Sequence, residues 1–204
     1  MNIEIFSLIS FVIVTTFTPG PNNISSASMG VMYGYRKTFN YLLGITFGFF
    51  LVMIACAYLS STLLRIMPVA EQYLRWAGAG YILWLAIGIL NSDYSVSESD
   101  ELPKAFTKGF ILQLFNPKGA VYGLTLYSTF LASISDRPDY LLLSAVSFAL
   151  TAFVAISAWA LFGAVIKKKL KNDAFRKIIN VFLSVLLIYT AIELSGVLSL
   201  FGNG

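Results

Sequence analysis

The 204-residue chain contains no histidine, which removes haem ligation through imidazole, most zinc sites and every histidine-based catalytic triad at once. Its single cysteine, Cys56, has no partner for an internal disulfide and cannot form a thiolate metal or cluster motif. Within its apolar run it reads as a small buried hydrophobe. Charge is also scarce: 12% of residues are charged against 57% hydrophobic, and mean hydropathy is +0.77. A soluble domain cannot carry so little charge on its surface, so the composition specifies an integral membrane protein. A Walker-type nucleotide loop, paired catalytic carboxylates and a nucleophile-base pair are all missing, which leaves no constellation able to carry catalysis. The expectation is a protein that is not an enzyme and uses no metal or cofactor. Formal net charge is +4, with the basic residues gathered beside apolar runs and not in an aromatic-interleaved patch, so no nucleic-acid partner is expected.

Long apolar segments recur along the whole sequence, and in lipid such segments must be helical to satisfy their own backbone. The opening Met1-Asn2-Ile3-Glu4 lacks the basic start of a removable signal, and no Lys or Arg precedes Arg36, so the first span is expected to be retained. No charge lies between Glu4 and Arg36, a distance longer than the roughly 20 residues that cross a bilayer core. Pro19 and Pro21 stand near its middle, which predicts a discontinuous helix over about 5–17 and 21–35. Its second half is polar or small (Asn22, Asn23, Ser25, Ser26, Ala27, Ser28, Gly30) and should face protein or a cavity. Further spans are expected at about 39–64, 72–90, 106–134, 140–166 and 178–200. A polar turn around Pro68, Glu71 and Arg75 should separate the second from the third. The fourth is interrupted at Phe115-Asn116-Pro117-Lys118-Gly119.

The result is one transmembrane domain over 1–204, all-α, with six helices. Repeat 1 covers about 1–91 and repeat 2 about 105–204, joined by a solvated linker at about 92–104. Alternate loops lie on the same side of the membrane. The loops after spans one, three and five hold Arg36, Lys37, Lys104, Lys108, Lys167, Lys168, Lys169, Lys171, Arg176 and Lys177, against Arg65, Arg75 and Arg137 in the others. Ten against three puts the first set in the cytoplasm and both termini outside. Three spans on each side of the linker give the halves inverted topology. The breaks occupy matching places, with Phe17-Thr18-Pro19-Gly20 in the first and Phe115-Asn116-Pro117-Lys118 in the fourth. Discontinuous helices at matching positions of inverted halves point to a transport site near the membrane midplane.

Proline suits the first turn of a helix, and a preceding Asn or Thr caps the next amides, so Pro19, Pro21 and Pro117 each favour a new half-helix start. Such starts present unpaired N–H groups and partial positive charge to the interior, a place for a carboxylate. The candidate substrate-binding set is therefore Thr18, Gly20, Asn22, Asn23, Asn116 and Lys118. For the asparagines, helix capping is the alternative role. For Lys118 the alternative is snorkelling or pairing with a carbonyl freed by the break. Glu193, an isolated carboxylate in the sixth span, is a candidate for proton coupling or an interfacial residue. Tyr81, Trp84, Trp159 and Tyr189 read as cavity lining or as bundle packing. The glycine faces suit internal packing or a homodimer. The two classes left open are a secondary transporter and a passive channel for small polar solutes, with a membrane assembly subunit a distant third.

At these residues the sequence resembles the family of bacterial amino-acid exporters that includes the lysine exporters and the homoserine/threonine resistance proteins. The resemblance is carried by TPGPNN followed by Gly30, Gly34, Arg36 and Gly44, by WAGAGYILWLAIGI from Trp76, and by GFILQLFNPKGAVYG from Gly109. It covers essentially the whole chain. Within the family, GFFLVMIACA from Gly48 and YGLTLYSTF from Tyr122 are most similar to the cysteine and O-acetylserine exporters. The resemblance implies export of an amino acid, driven by protons without ATP or cofactor, across the bacterial cytoplasmic membrane. Many members carry an acidic residue in the fifth span, whereas none lies between Tyr140 and Ile166 here. That departure implies coupling through another group, such as Glu193 or the substrate itself, or a small substrate without a cationic side chain.

Overall fold

The computed structural model describes residues 5–90, 104–169 and 173–195. Among them are seven α-helices: α1 (Ile5–Phe17), α2 (Pro21–Tyr33), α3 (Tyr35–Leu90), α4 (Ala105–Leu114), α5 (Pro117–Thr125), α6 (Pro138–Lys169) and α7 (Asp173–Ser195). A π-helical turn (Leu126–Phe130) and a 3-10 turn (Ala132–Ile134) follow α5. No strand occurs among the described residues.

Both breaks fall where the prolines place them. Pro21 is the first residue of α2 and Pro117 the first of α5, positions where the missing N–H costs nothing. The axes of α1 and α2 differ by 44°. Gly34 joins α2 to α3 at φ +79, a conformation in which a side chain would be strained.

α3 departs from expectation. Its backbone stays helical for 56 residues, through Pro68, where the sequence predicts a turn between two spans. Residues from early α3 (Tyr41, Leu42, Ile45) and late α3 (Ala79, Ile82, Ala86) belong to one buried cluster with α2, α4, α6 and α7. A straight helix of this length would be about 84 Å long, so the presence of both its ends in one buried cluster requires α3 to bend back on itself between them. Of the expected linker only Lys104 lies within the described residues, and the end of the sixth span beyond Ser195 lies outside them. Glu193 sits in the last turns of α7, its side chain outside the described residues.

The stretches Tyr35–Leu59 and Pro138–Ile166 are each long and apolar enough to cross a membrane, and α1 with α2 passes as one broken span. Phe6, Ile13, Leu143, Leu150, Phe162 and Phe182 are exposed on these helices and on α7. Water would penalise so much exposed apolar surface, whereas lipid solvates it. α2 behaves oppositely: Asn23, Ser25, Ser26 and Ser28 are buried against protein, as their polarity requires.

The helices approach closely through glycine. Gly30 of α2 lies on the Ala160 carbonyl of α6, and Gly163 of α6 lies on the Ala27 carbonyl of α2. Gly44 of α3 and Gly109 of α4 make the same reciprocal contact, against the carbonyls of Phe106 and Tyr41. The first broken helix is thus seated on a helix from the back of the chain, and the second on a helix from the front. Gly30→Ala and Gly109→Ala each drive a methyl group onto a backbone carbonyl, an overpacking that costs about 1–3 kcal/mol. Both variants should melt below the parent in detergent, followed by fluorescence-detected chromatography. Gly80→Ala, where nothing lies within 4 Å of the added carbon, should melt with it.

Candidate functional site

The last carbonyls of a helix have no donor within the helix itself and must find one elsewhere. At the end of α1 they are taken up by side chains from four directions. The Thr15 carbonyl accepts from the Thr18 hydroxyl at 3.2 Å. Asn23 Nδ2 of α2 donates to the carbonyls of Thr16 at 2.9 Å and Thr18 at 2.8 Å. Trp159 Nε1 of α6 donates to the Phe17 carbonyl at 3.2 Å. Lys118 Nζ of α5 reaches the Thr18 hydroxyl at 3.1 Å and the carbonyls of Thr18 and Pro19 at 3.4 and 3.5 Å. The two breaks therefore meet, and a cation from the second sits at the negative end of the helix that closes the first. Gly20 permits this approach, because a Cβ there would stand 3.2 Å from Lys118 Nζ.

The two half-helix starts are not equivalent. Asn116 Oδ1 accepts from the Lys118 backbone N–H at 3.1 Å and caps α5. Gly20, extended at φ −177, gives α2 no side-chain cap, so the first-turn amides of α2 remain available. Asn23 and Asn116 thus perform the capping role, while Asn22 bridges the halves, its Nδ2 donating to Gln113 Oε1 of α4 at 2.6 Å.

A cavity open to the outside lies between the breaks. Of the candidate residues, Gly20, Pro21, Asn22, Asn23, Asn116 and Lys118 line it; Thr18, Pro19 and Pro117 flank it. Thr15, Thr16, Phe49, Gly119, Tyr122, Ala152 and Ile156 complete the wall. Lys118 is the sole formal charge among these lining residues, and no carboxylate is present among them. Of the aromatic candidates, Trp159 holds α1, while Trp84 and Tyr189 are exposed on the outside of the bundle.

Two residues that sequence reasoning passed over belong to this site. Gln113 is fully buried, and its Nε2 lies against Gly119, where any side chain would displace it. A lone amide inside FILQLF, three positions before Asn116, was the available signal. Tyr122 lies one turn past Lys118 and lines the cavity. The Asn22 Oδ1, Gln113 Nε2 and Ser26 Oγ atoms and the Tyr122 hydroxyl are buried without hydrogen-bond partners, a polar provision beyond what packing needs.

Broken helices meeting at a cavity inside an apolar bundle are the layout of a membrane translocator. Residues 13–196 match the LysE type translocator family, and the chain belongs to that family. It is a transporter and not an enzyme. The cysteine/O-acetylserine efflux protein of Escherichia coli O139:H28 (strain E24377A / ETEC) is 34% identical over 185 residues, 91% of this chain and 94% of that protein. The proteins of that description from Escherichia coli (strain K12) and Shigella flexneri serotype 5b (strain 8401) are 33% identical with the same coverage. No solved structure matches the chain.

Asn23→Ala removes the donor shared by two carbonyls at the end of α1. Leaving such groups unpaired costs about 1–3 kcal/mol, so the variant should show a lowered melting temperature in detergent, and an unchanged melt would refute the capping role.

Proposed function

We propose that the chain exports small neutral amino acids, with cysteine and O-acetylserine foremost, across the bacterial cytoplasmic membrane by proton-coupled alternating access. The observation that carries this reading is the cavity between the two breaks, with the Lys118 ammonium and the uncapped start of α2 on one side and no carboxylate in its wall. An amino-acid carboxylate finds a cation and free amides there. A cationic side chain finds no counter-charge, which favours neutral substrates over lysine or arginine. The names of the similar efflux proteins point the same way.

In support of alternating access, each broken helix rests on a helix of the other half, so relative motion of the halves would alter both sides of the cavity. Lys118 in the cavity wall and Glu193 in the last span are the two candidate coupling groups. On this reading the protein is multi-pass, its two halves inverted repeats and its termini outside. A homodimer draws no support from Gly30, Gly44, Gly109 and Gly163, which are all used in internal packing.

The test is counterflow and net uptake of labelled cysteine, O-acetylserine, threonine and lysine in proteoliposomes, with and without an imposed pH gradient. Uphill accumulation of the small neutral substrates in response to the gradient is expected, a result no channel can produce. Absence of transport for every amino acid would sink the proposal. Lys118→Ala, which also frees the Thr18 and Pro19 carbonyls, should insert with a lowered melting temperature and lose at least about tenfold in transport, the magnitude of one charge-assisted bond. Parent-level rates in both Lys118→Ala and Asn116→Ala would remove the site.

A further inference from the structure

Tyr122 stands apart from the rest of the cavity wall. Its ring is packed on three sides by phenylalanines: Phe11 stacked at 5.6 Å, Phe49 at 5.7 Å and Phe148 edge-on at 6.2 Å between centroids. The residue is 4% exposed, and its hydroxyl has no partner in good hydrogen-bond geometry, although the Thr16 side chain is near enough to interact with it. Buried tyrosine hydroxyls usually find a partner, and an unpaired one is costly. Packing alone would be served by a fourth phenylalanine, so the hydroxyl calls for a partner that arrives from the cavity.

Tyr122 lies four residues after Lys118 on α5, hence on the same face and about 6 Å further along the axis. Both residues line the cavity, so one bound amino acid has a polar group of each within the same wall. Asn22, in the same wall, has its Oδ1 acceptor without a partner. Phe49, Ala152 and Ile156 supply the apolar remainder of the wall.

We infer that Tyr122 is the specificity-determining residue of the cavity: its hydroxyl reads a hydrogen-bonding atom in the substrate side chain and selects short, polar, uncharged amino acids over their apolar isosteres. The assignment rests on the proposed export function and adds to it the group that distinguishes one neutral side chain from another. Lys118 holds the carboxylate, and Asn22 Oδ1 accepts from the α-ammonium. A substrate that offers the phenol no partner leaves it unpaired in the loaded cavity, which is how a polar site rejects an apolar isostere.

The parent and Tyr122→Phe are compared in proteoliposomes with serine, cysteine and 2-aminobutyrate, which has a methyl group where the others have a hydroxyl or thiol. The parent should prefer serine and cysteine, and Tyr122→Phe should reduce the ratio of their kcat/KM to that of 2-aminobutyrate about tenfold. The same ratio is read without a transport cycle, from the concentration of each ligand giving half the maximal thermal shift in detergent. Tyr122→Met is run alongside, and the ratio is taken on whichever variant chromatographs as the parent does. A ratio unchanged by the substitution, or a transporting parent with no preference for the polar side chains, overturns this inference alone. A parent that moves no amino acid overturns the export function and this inference with it.

Discussion

The structure depends on how the carbonyls at the end of α1 are satisfied. In a bilayer a helix cannot stop without finding donors, and those donors have to come from the protein itself. Here they come from α2, α5 and α6, through Asn23, Lys118 and Trp159. One local defect thereby fixes the relative positions of four helices. The cavity follows from this arrangement, because the side chains that reach the carbonyls hold the two breaks apart at a set distance.

The breaks have similar wording but different chemistry. Asn116 caps its own helix, whereas Gly20 caps nothing and lets a lysine approach. The two breaks therefore offer different groups, one presenting open amides and the other presenting a cation. The reciprocal glycine contacts explain how both halves stay close enough for this, since each broken helix rests directly on backbone from the opposite half.

Much of this was legible in the sequence, because proline acts locally. Pro21 and Pro117 start helices wherever they stand, and the polar run after Pro21 declares a buried face. That the backbone of α3 stays helical through Pro68 was not legible, although its early and late residues do come together in one cluster as two expected spans would. Gln113 and Tyr122 were hidden for a related reason. Each is an ordinary residue in an apolar helix until the second element arrives, α2 for the amide and the phenylalanine cluster for the phenol. Asn22, Asn23 and Asn116 were recognisable as a group, but which of them bridges and which caps is decided by distances of a few ångströms that no spacing rule contains.

The bond from Trp159 to the Phe17 carbonyl gives the protein a built-in optical gauge. Trp76 and Trp84 are 52% and 56% exposed on the outer surface, while Trp159 is tied by its indole nitrogen to the last residue of α1. Indole emission responds to the hydrogen bonding and polarity around that nitrogen. With the two outer tryptophans replaced by phenylalanine, the colour of the remaining one becomes a direct readout of whether α1 is held at its end, without any label added.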